Sequence, residues 1–315
     1  MTAPDPTSRR RLSVVIAVFC NEGSLRPLFD ALREVEAGLD ARGIDLEVVC
    51  VDDGSHDGSF AVLRALKEAR PATRLVKLTR NFGAVRAART GLRFVTGDCF
   101  LFLAADLQDP PGLILEMADR WLQGSKYVLC VRKERTDSLS SKIFSALFYR
   151  LIRRTVARDY PRGGYDLALM DRVFQPYLLD SAKNVNTPLF AFWLGFKPDV
   201  LEYVRQKRLH GRSGWTFAKR FKFFLDSLLG FSIVPVRAMS VFGALTALVS
   251  FAYGSVIAVN ALRGVRGAPG FATIVVITSF LFGIVIMMLG VIGEYLWRIY
   301  DEVSRKPDSV IELVD

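Results

Sequence analysis

The chain has 315 residues, 51% hydrophobic and 23% charged, with 42 lysines and arginines against 32 acids for a net charge of +10. That composition excludes a disordered or collagen-like chain, and four cysteines are too few for a disulfide scaffold. A mean hydropathy of +0.26 beside so much charge means that apolar residues are concentrated in part of the chain.

Residues 1–10 read as a flexible tail. Arg9, Arg10 and Arg11 precede an apolar stretch that breaks at Asn21-Glu22, shorter than a secretory core and without a cleavage site, so no signal peptide is expected. Up to about residue 135, β-rich runs alternate with helical stretches. Strands are predicted at 12–19, 46–51, 74–78, 99–103 and 127–131, and helices near 24–39, 59–69, 84–95 and 111–123. This alternation builds an α/β, Rossmann-like, mostly parallel sheet covered on both faces. Ligands of such sheets bind at the carboxyl ends of the strands.

The chemistry-bearing residues fall there. Asp52-Asp53-Gly54-Ser55-His56-Asp57 follows the second strand, and Asp106-Leu107-Gln108-Asp109-Pro110-Pro111 follows the fourth. One such cluster can be a helix cap, which is the plainer reading of Asp57 and Asp109. Two clusters at equivalent positions of neighbouring strands, acidic and amide in character, favour a hard cation holding a phosphorylated ligand. No Gly-rich dinucleotide fingerprint follows the first strand and no P-loop is present. Two histidines, His56 and His210, are too few for a histidine-based metal site. Cys20, Cys50, Cys99 and Cys130 form no CxxC pair and read as buried thiols of a reducing compartment.

From Arg205 to Arg237 eight basic residues face one acid, Asp226. Lipid phosphate explains this cluster better than nucleic acid, because an apolar segment follows directly. The stretch 215–229 alternates aromatics and cations as an interfacial amphipathic helix does. Two windows without Asp, Glu, Lys or Arg, 238–262 and 271–293, each exceed the roughly 20 residues that span a bilayer. Gly243, Ser250, Gly254, Gly283 and Gly290 supply small residues for close packing of a transmembrane hairpin. Arg212, Lys219, Arg220, Lys222 and Arg237 before the hairpin, with Arg298, Arg305 and Lys306 after it, outnumber Arg263 and Arg266 in the connector. Both flanks are therefore expected in the cytoplasm.

The strings Asp52-Asp53-Gly54-Ser55, Arg80-Asn81-Phe82-Gly83 and Asp106-Leu107-Gln108-Asp109-Pro110-Pro111 resemble inverting family 2 glycosyltransferases of GT-A fold. The polyprenyl-phosphate branch, similar to dolichyl-phosphate mannose synthase and the bactoprenol glucosyltransferases, is the nearest, and the likeness covers about residues 12–305. It implies a catalytic domain over 11–210, a juxtamembrane segment over 211–235, the hairpin over 236–296 and a cytoplasmic tail over 297–315. It also implies a multi-pass protein of the inner membrane that moves one sugar from a nucleotide-sugar to polyprenyl phosphate. Homo-oligomers are common in that family.

The resemblance assigns roles residue by residue. Asn21, Glu22, Asp52, Asp53 and Arg80 would bind the donor. Asp106 and Gln108 would hold Mg²⁺ or Mn²⁺, with Asp106, Arg132 and Arg135 as catalytic residues. Arg132, Arg135, Lys142 and Arg208 would face the acceptor phosphate. This chain departs from the family pattern at three places. Ala104 stands where an aspartate is usual, and Ala17-Val18-Phe19-Cys20-Asn21-Glu22 replaces Pro-x-Tyr-Asn-Glu. Asp166-Leu167-Ala168-Leu169 replaces Asp-Phe-Arg-Leu. A processive polysaccharide synthase would carry Gln-x-x-Arg-Trp, which is absent, and more spans. A lipid-binding scaffold that has lost catalysis with Ala104 is the non-enzymatic alternative.

Overall fold

The structure is a computed structural model. It describes residues 9–133, 149–150, 152–154, 158–183, 185–204, 230–231, 234–263 and 270–315. Arg135, Lys142, Arg208 and the amphipathic segment 215–229 lie outside the described residues. The chain divides into two units, 1–223 with 307–315, and 224–306.

The larger unit is built on an eight-stranded sheet. Its strands are β1 (Arg10–Val18), β2 (Ile44–Asp52), β3 (Thr73–Leu78), β4 (Cys99–Ala104), β5 (Tyr127–Arg132), β6 (Leu167–Asp171), β7 (Asp199–Tyr203) and β8 (Ile311–Val314), in the order β7-β5-β6-β4-β1-β2-β3-β8. Helices α1 (Glu22–Asp40), α2 (Ser59–Ala69), α3 (Ala84–Leu92) and α4 (Leu113–Leu122) connect the first five strands. The shorter α5 (Phe174–Asp180) and α6 (Thr187–Trp193) follow β6. Strands β4, β1, β2 and β3 follow one another in parallel, as the strand–helix alternation predicts, but β1 lies between β2 and β4, so the two acidic clusters follow strands that are not neighbours. Val14, Val15 and Ile16 of β1, like Val48, Val49 and Cys50 of β2, are fully buried, because a parallel sheet packed on both faces puts successive side chains out of water. On α1 the buried residues Leu25, Leu28, Phe29, Leu32, Val35 and Leu39 recur at helical spacing, so one stripe faces the core. Gly91 of α3 lets that helix come close to the sheet, for a Cβ there would stand 2.6 Å from a methyl of Val15.

Strand β6 runs antiparallel between β4 and β5, and this reversal sets up the site. Leu167, its first residue, pairs with Cys130 near the end of β5, so the segment just before β6 meets the carboxyl ends of its neighbours. Strand β7, parallel to β5, brings Tyr203 level with Arg132.

Both chain ends differ from expectation. Arg9 pairs with Asp40 and Asp45, and Arg10 already begins β1, so the N-terminal tail stops short of residue 9. The tail expected over 297–315 is instead helix up to Val303 and then strand β8, antiparallel to β3. The physical reason is the open edge of β3, whose backbone groups the alternating Ile311-Glu312-Leu313-Val314 satisfies. Lys77–Glu312 and Lys67–Asp315 ion pairs flank the pairing. Upstream, Asp308 meets Arg89 at 3.3 Å and Ser309 shares a 2.5 Å hydrogen bond with Thr90. Deleting 307–315 is expected to cost about 2 kcal/mol and lower Tm by about 4–8 °C. Thermal unfolding of the detergent-purified protein checks this; an unchanged Tm would show the strand to be dispensable.

The smaller unit holds α7 (Val234–Leu262) and α8 (Phe271–Val303). Both are long and apolar enough to cross a membrane, with candidate spans at Met239–Ile257 and Phe280–Val303. Neither span is covered by protein, and Leu248, Phe251, Ile286 and Leu289 are exposed, unlike core helices of a water-soluble domain. Ser240, Thr246 and Ser255 turn their hydroxyls back onto carbonyls four residues earlier, which satisfies them without water. Helix α8 runs ten residues beyond the charge-free window, through Glu294 and Arg298.

Candidate active site

The carboxyl ends of β2, β4, β5 and β7 carry most of the polar side chains singled out above. Asp52 ends β2 and is fully buried; its Oδ1 accepts a 3.4 Å hydrogen bond from the Ser55 N–H. Its Oδ2 has no partner among the described residues. Burial raises its carboxyl above the usual range. A buried carboxylate oxygen without a partner is costly unless something else uses it.

Asp53 is equally buried but fully engaged. Its two oxygens accept hydrogen bonds from the N–H groups of Phe82 and Gly83 at 2.7 and 2.8 Å, fastening the Arg80-Asn81-Phe82-Gly83 loop to β2. Gly54 next to it has φ +69°, and a Cβ there would lie 2.5 Å from the Arg80 carbonyl carbon. Only glycine lets these two loops touch. Arg80 lies exposed with its guanidinium 4.5 Å from the centre of the Phe82 ring.

Asn21 and Glu22 close the other side. The Asn21 side chain accepts from the Phe19 N–H, and its own N–H donates to the Ser59 hydroxyl. Glu22 accepts from the Gly58 N–H at 3.1 Å. Asp57 accepts from the Ser59 N–H, so it does cap α2. Cys20, expected to be buried, is half-exposed and lies 3.4 Å from Nδ1 of His56. The other three thiols are buried as expected, and burial pushes Cys50 and Cys130 up to about 12.

In the loop after β4, Leu107 takes a left-handed φ of +56° and is buried, as is Asp109. Asp106 and Gln108 alternate with them and remain half-exposed, with the Gln108 N–H 3.3 Å from Asp106 Oδ1. Asp109 accepts a 2.6 Å hydrogen bond from the Tyr203 hydroxyl, which also lies 2.9 Å from Asp166. Asp166 in turn holds Arg132 through two hydrogen bonds, from Nε at 2.6 Å and Nη2 at 2.5 Å. Burial disfavours charge on Arg132, but the two bonds from Asp166 outweigh it and raise its pKa. Burial and the Asp109 hydrogen bond raise the Tyr203 phenol well above its usual value.

Asp109, Tyr203 and Asp166 were not singled out as site residues from sequence. The available signal was Gly163-Gly164 followed by Tyr165-Asp166 and an apolar run, a turn delivering a carboxylate to a strand start. Among the described residues no three His, Cys, Asp or Glu side chains form a metal cluster. Asp106 and Gln108 are hard oxygen donors, which suit Mg²⁺ or Mn²⁺ completed by ligand oxygens.

Asp52→Asn is expected to raise Tm at pH 7. The folded-state pKa is raised, so this group's contribution to stability is present below about pH 3.9 and lost as pH rises through the folded value. The amide removes that loss, so its Tm advantage should shrink toward pH 4. A lower Tm than wild type at pH 7 would contradict the reading.

The arrangement gathers acids, an amide and an arginine at the carboxyl ends of an α/β sheet. Residues 13–174 match the model of glycosyl transferase family 2, and the chain belongs to that family. Its mostly parallel sheet is of the α/β class that the strand–helix alternation predicts. An uncharacterized glycosyltransferase of Synechocystis sp. is 34% identical over 94% of this chain and 93% of its own length. The prophage bactoprenol glucosyl transferase homolog of Escherichia coli is 30% identical over 96% of this chain and 99% of its own. The mannosyltransferase PcManGT from Pyrobaculum calidifontis, solved with GDP-Man and Mn²⁺, aligns at TM-score 0.48 with 21% identity, covering 91% of this chain and 89% of that one.

Proposed function

We propose that this glycosyltransferase moves a single sugar, with inversion, from a nucleotide-sugar to polyprenyl phosphate at the cytoplasmic face of the inner membrane. The observation that carries the reading is the placement of Asp52, Asp106 and Arg132 at the carboxyl ends of β2, β4 and β5 of one sheet, in a chain that also holds two apolar helices. Full-length similarity to bactoprenol glucosyl transferases supports it. A hairpin with both flanks cytoplasmic follows from the excess of basic residues outside the connector.

A lipid monophosphate is an anion at neutral pH, so it attacks the anomeric carbon without a strong general base. The protein's task is to align two anionic substrates and stabilise the departing diphosphate. Asp52 offers its unpartnered oxygen to the donor's base or ribose, and Asp53 shapes the wall around it through the Phe82–Gly83 loop. Asn21, Glu22 and Arg80 border the same crevice. Asp106 and Gln108 would hold Mg²⁺ or Mn²⁺, which when bound neutralises charge on the diphosphate. Arg132, oriented by Asp166, keeps Nη1 for the acceptor phosphate, joined by Arg135, Lys142 and Arg208. Arginine suits this work because its planar fork binds phosphate oxygens in pairs.

The test is detergent-purified protein with undecaprenyl phosphate, Mn²⁺ and radiolabelled UDP-glucose, UDP-N-acetylglucosamine, UDP-galactose or GDP-mannose. Label is expected in the organic phase with at least one donor. Folded protein that moves none of them would speak against the reading.

A further inference from the structure

A cavity of about 420 Å³ opens beside Asp106 and runs past α3 and α6 between the end of β4 and the start of β6. That volume lies within the ~300–1,000 Å³ usual for small-molecule sites. Seven alanines, Ala88 and Ala168 among them, line it together with larger apolar side chains and with Arg89, Asp106, Asp109 and Asp166.

Polar groups on the wall are turned to other work. Asp109 and Asp166 receive the Tyr203 hydroxyl, and the Tyr165 hydroxyl donates to the Pro188 carbonyl at 2.6 Å. Arg89 donates to the Leu179 carbonyl and pairs with Asp308, while its Nε is buried without a partner among the described residues. Sugar hydroxyls pushed into this space would exchange water for aliphatic carbon, which is unfavourable. A methyl-terminated substituent would gain by the same move. Asn21 and Thr187 on the wall are uncharged and able to serve an amide.

We propose that the cavity receives the acetamido group of the donor sugar, so that the protein selects a nucleotide-linked N-acetylhexosamine over the corresponding hexose. The proposal rests on the donor-sugar reading above and on the cavity's continuity with Asp106.

The test compares kcat/KM for UDP-N-acetylglucosamine and UDP-glucose on the purified full-length protein with undecaprenyl phosphate and Mn²⁺. Because the methyl of the acetamido group, once in an apolar pocket, is worth about 10–200-fold, a preference of at least about tenfold for the acetamido donor is expected where Asn21 or Thr187 serves its amide. Ala168→Leu, or Ala88→Leu if the first does not fold, should shrink that preference about tenfold. Equal or better use of UDP-glucose by the wild type would overturn the proposal. So would a variant that depresses both donors alike, or one that raises only the KM for undecaprenyl phosphate, which would place the prenyl chain in the cavity. If neither donor yields lipid-linked product, the transfer reading fails separately. Calorimetric donor binding then decides the cavity, and UDP-N-acetylglucosamine binding no tighter than UDP-glucose would overturn its assignment.

Discussion

Asp106→Asn is expected to lower the rate of sugar transfer by at least about 100-fold while leaving the fold intact, as measured by single-turnover transfer and by thermal unfolding. The side chain is half-exposed on a loop whose buried anchors are its neighbours Leu107 and Asp109. An isosteric amide should therefore change Tm little, since polar surface substitutions usually stay within about 0.5 kcal/mol. Activity is another matter. Of the two carboxylates in this string, Asp109 is buried against Tyr203 and Asp106 is half-exposed, so Asp106 is the one a ligand can reach. Replacing it removes a formal charge from a site with little redundancy. The Mn²⁺ concentration for half-maximal rate should also rise. A variant with near wild-type turnover would remove Asp106 from the machinery.

The second large effect concerns the chain of contacts from Arg132 through Asp166 and Tyr203 to Asp109. Arg132→Met keeps the length of the side chain but strips Asp166 of both guanidinium bonds. Because Arg132 and Asp166 are only about a fifth exposed, at 22% and 18%, the abandoned carboxylate cannot rehydrate freely. Removing one partner of a fully buried pair costs about 3–5 kcal/mol, and the residual exposure here brings the expectation to about 2–3 kcal/mol. Denaturant unfolding in detergent should show that loss, with acceptor KM raised where the protein remains folded. The double variant Arg132→Met with Asp166→Asn should recover part of the stability and none of the activity. Stability equal to wild type in the single variant would mean that the pair is not formed.

How far these residues could be read from sequence depended on whether their partners were local. Strands β1 to β5 announced themselves as apolar runs separated by helical periodicity, and Asp52 and Asp106 stood out because acids cluster directly after such runs. The hairpin was legible from length and lack of charge alone. What could not be read was set by pairing across the sheet. Nothing in Leu167-Ala168-Leu169-Met170 states that it will lie antiparallel between β4 and β5, yet that register alone brings Asp166 onto Arg132. Tyr203 reaches Asp109 because β7 lies beside β5, a contact across 94 residues. Asp53 looked like a ligand-facing acid in the string, whereas its oxygens fasten a neighbouring loop. Four residues of β8 were too short a signal until the open edge of β3 gave them a place.

The most direct test of the account is the mass and anomeric configuration of the lipid product. Purified protein would be incubated with undecaprenyl phosphate, Mn²⁺ and the donor it turns over, and the organic phase analysed by mass spectrometry and NMR. The account predicts one sugar per lipid, joined to a single phosphate, with the configuration opposite to that of the donor. A ladder of sugars on the lipid, retention of configuration, or a diphosphate-linked product would contradict it.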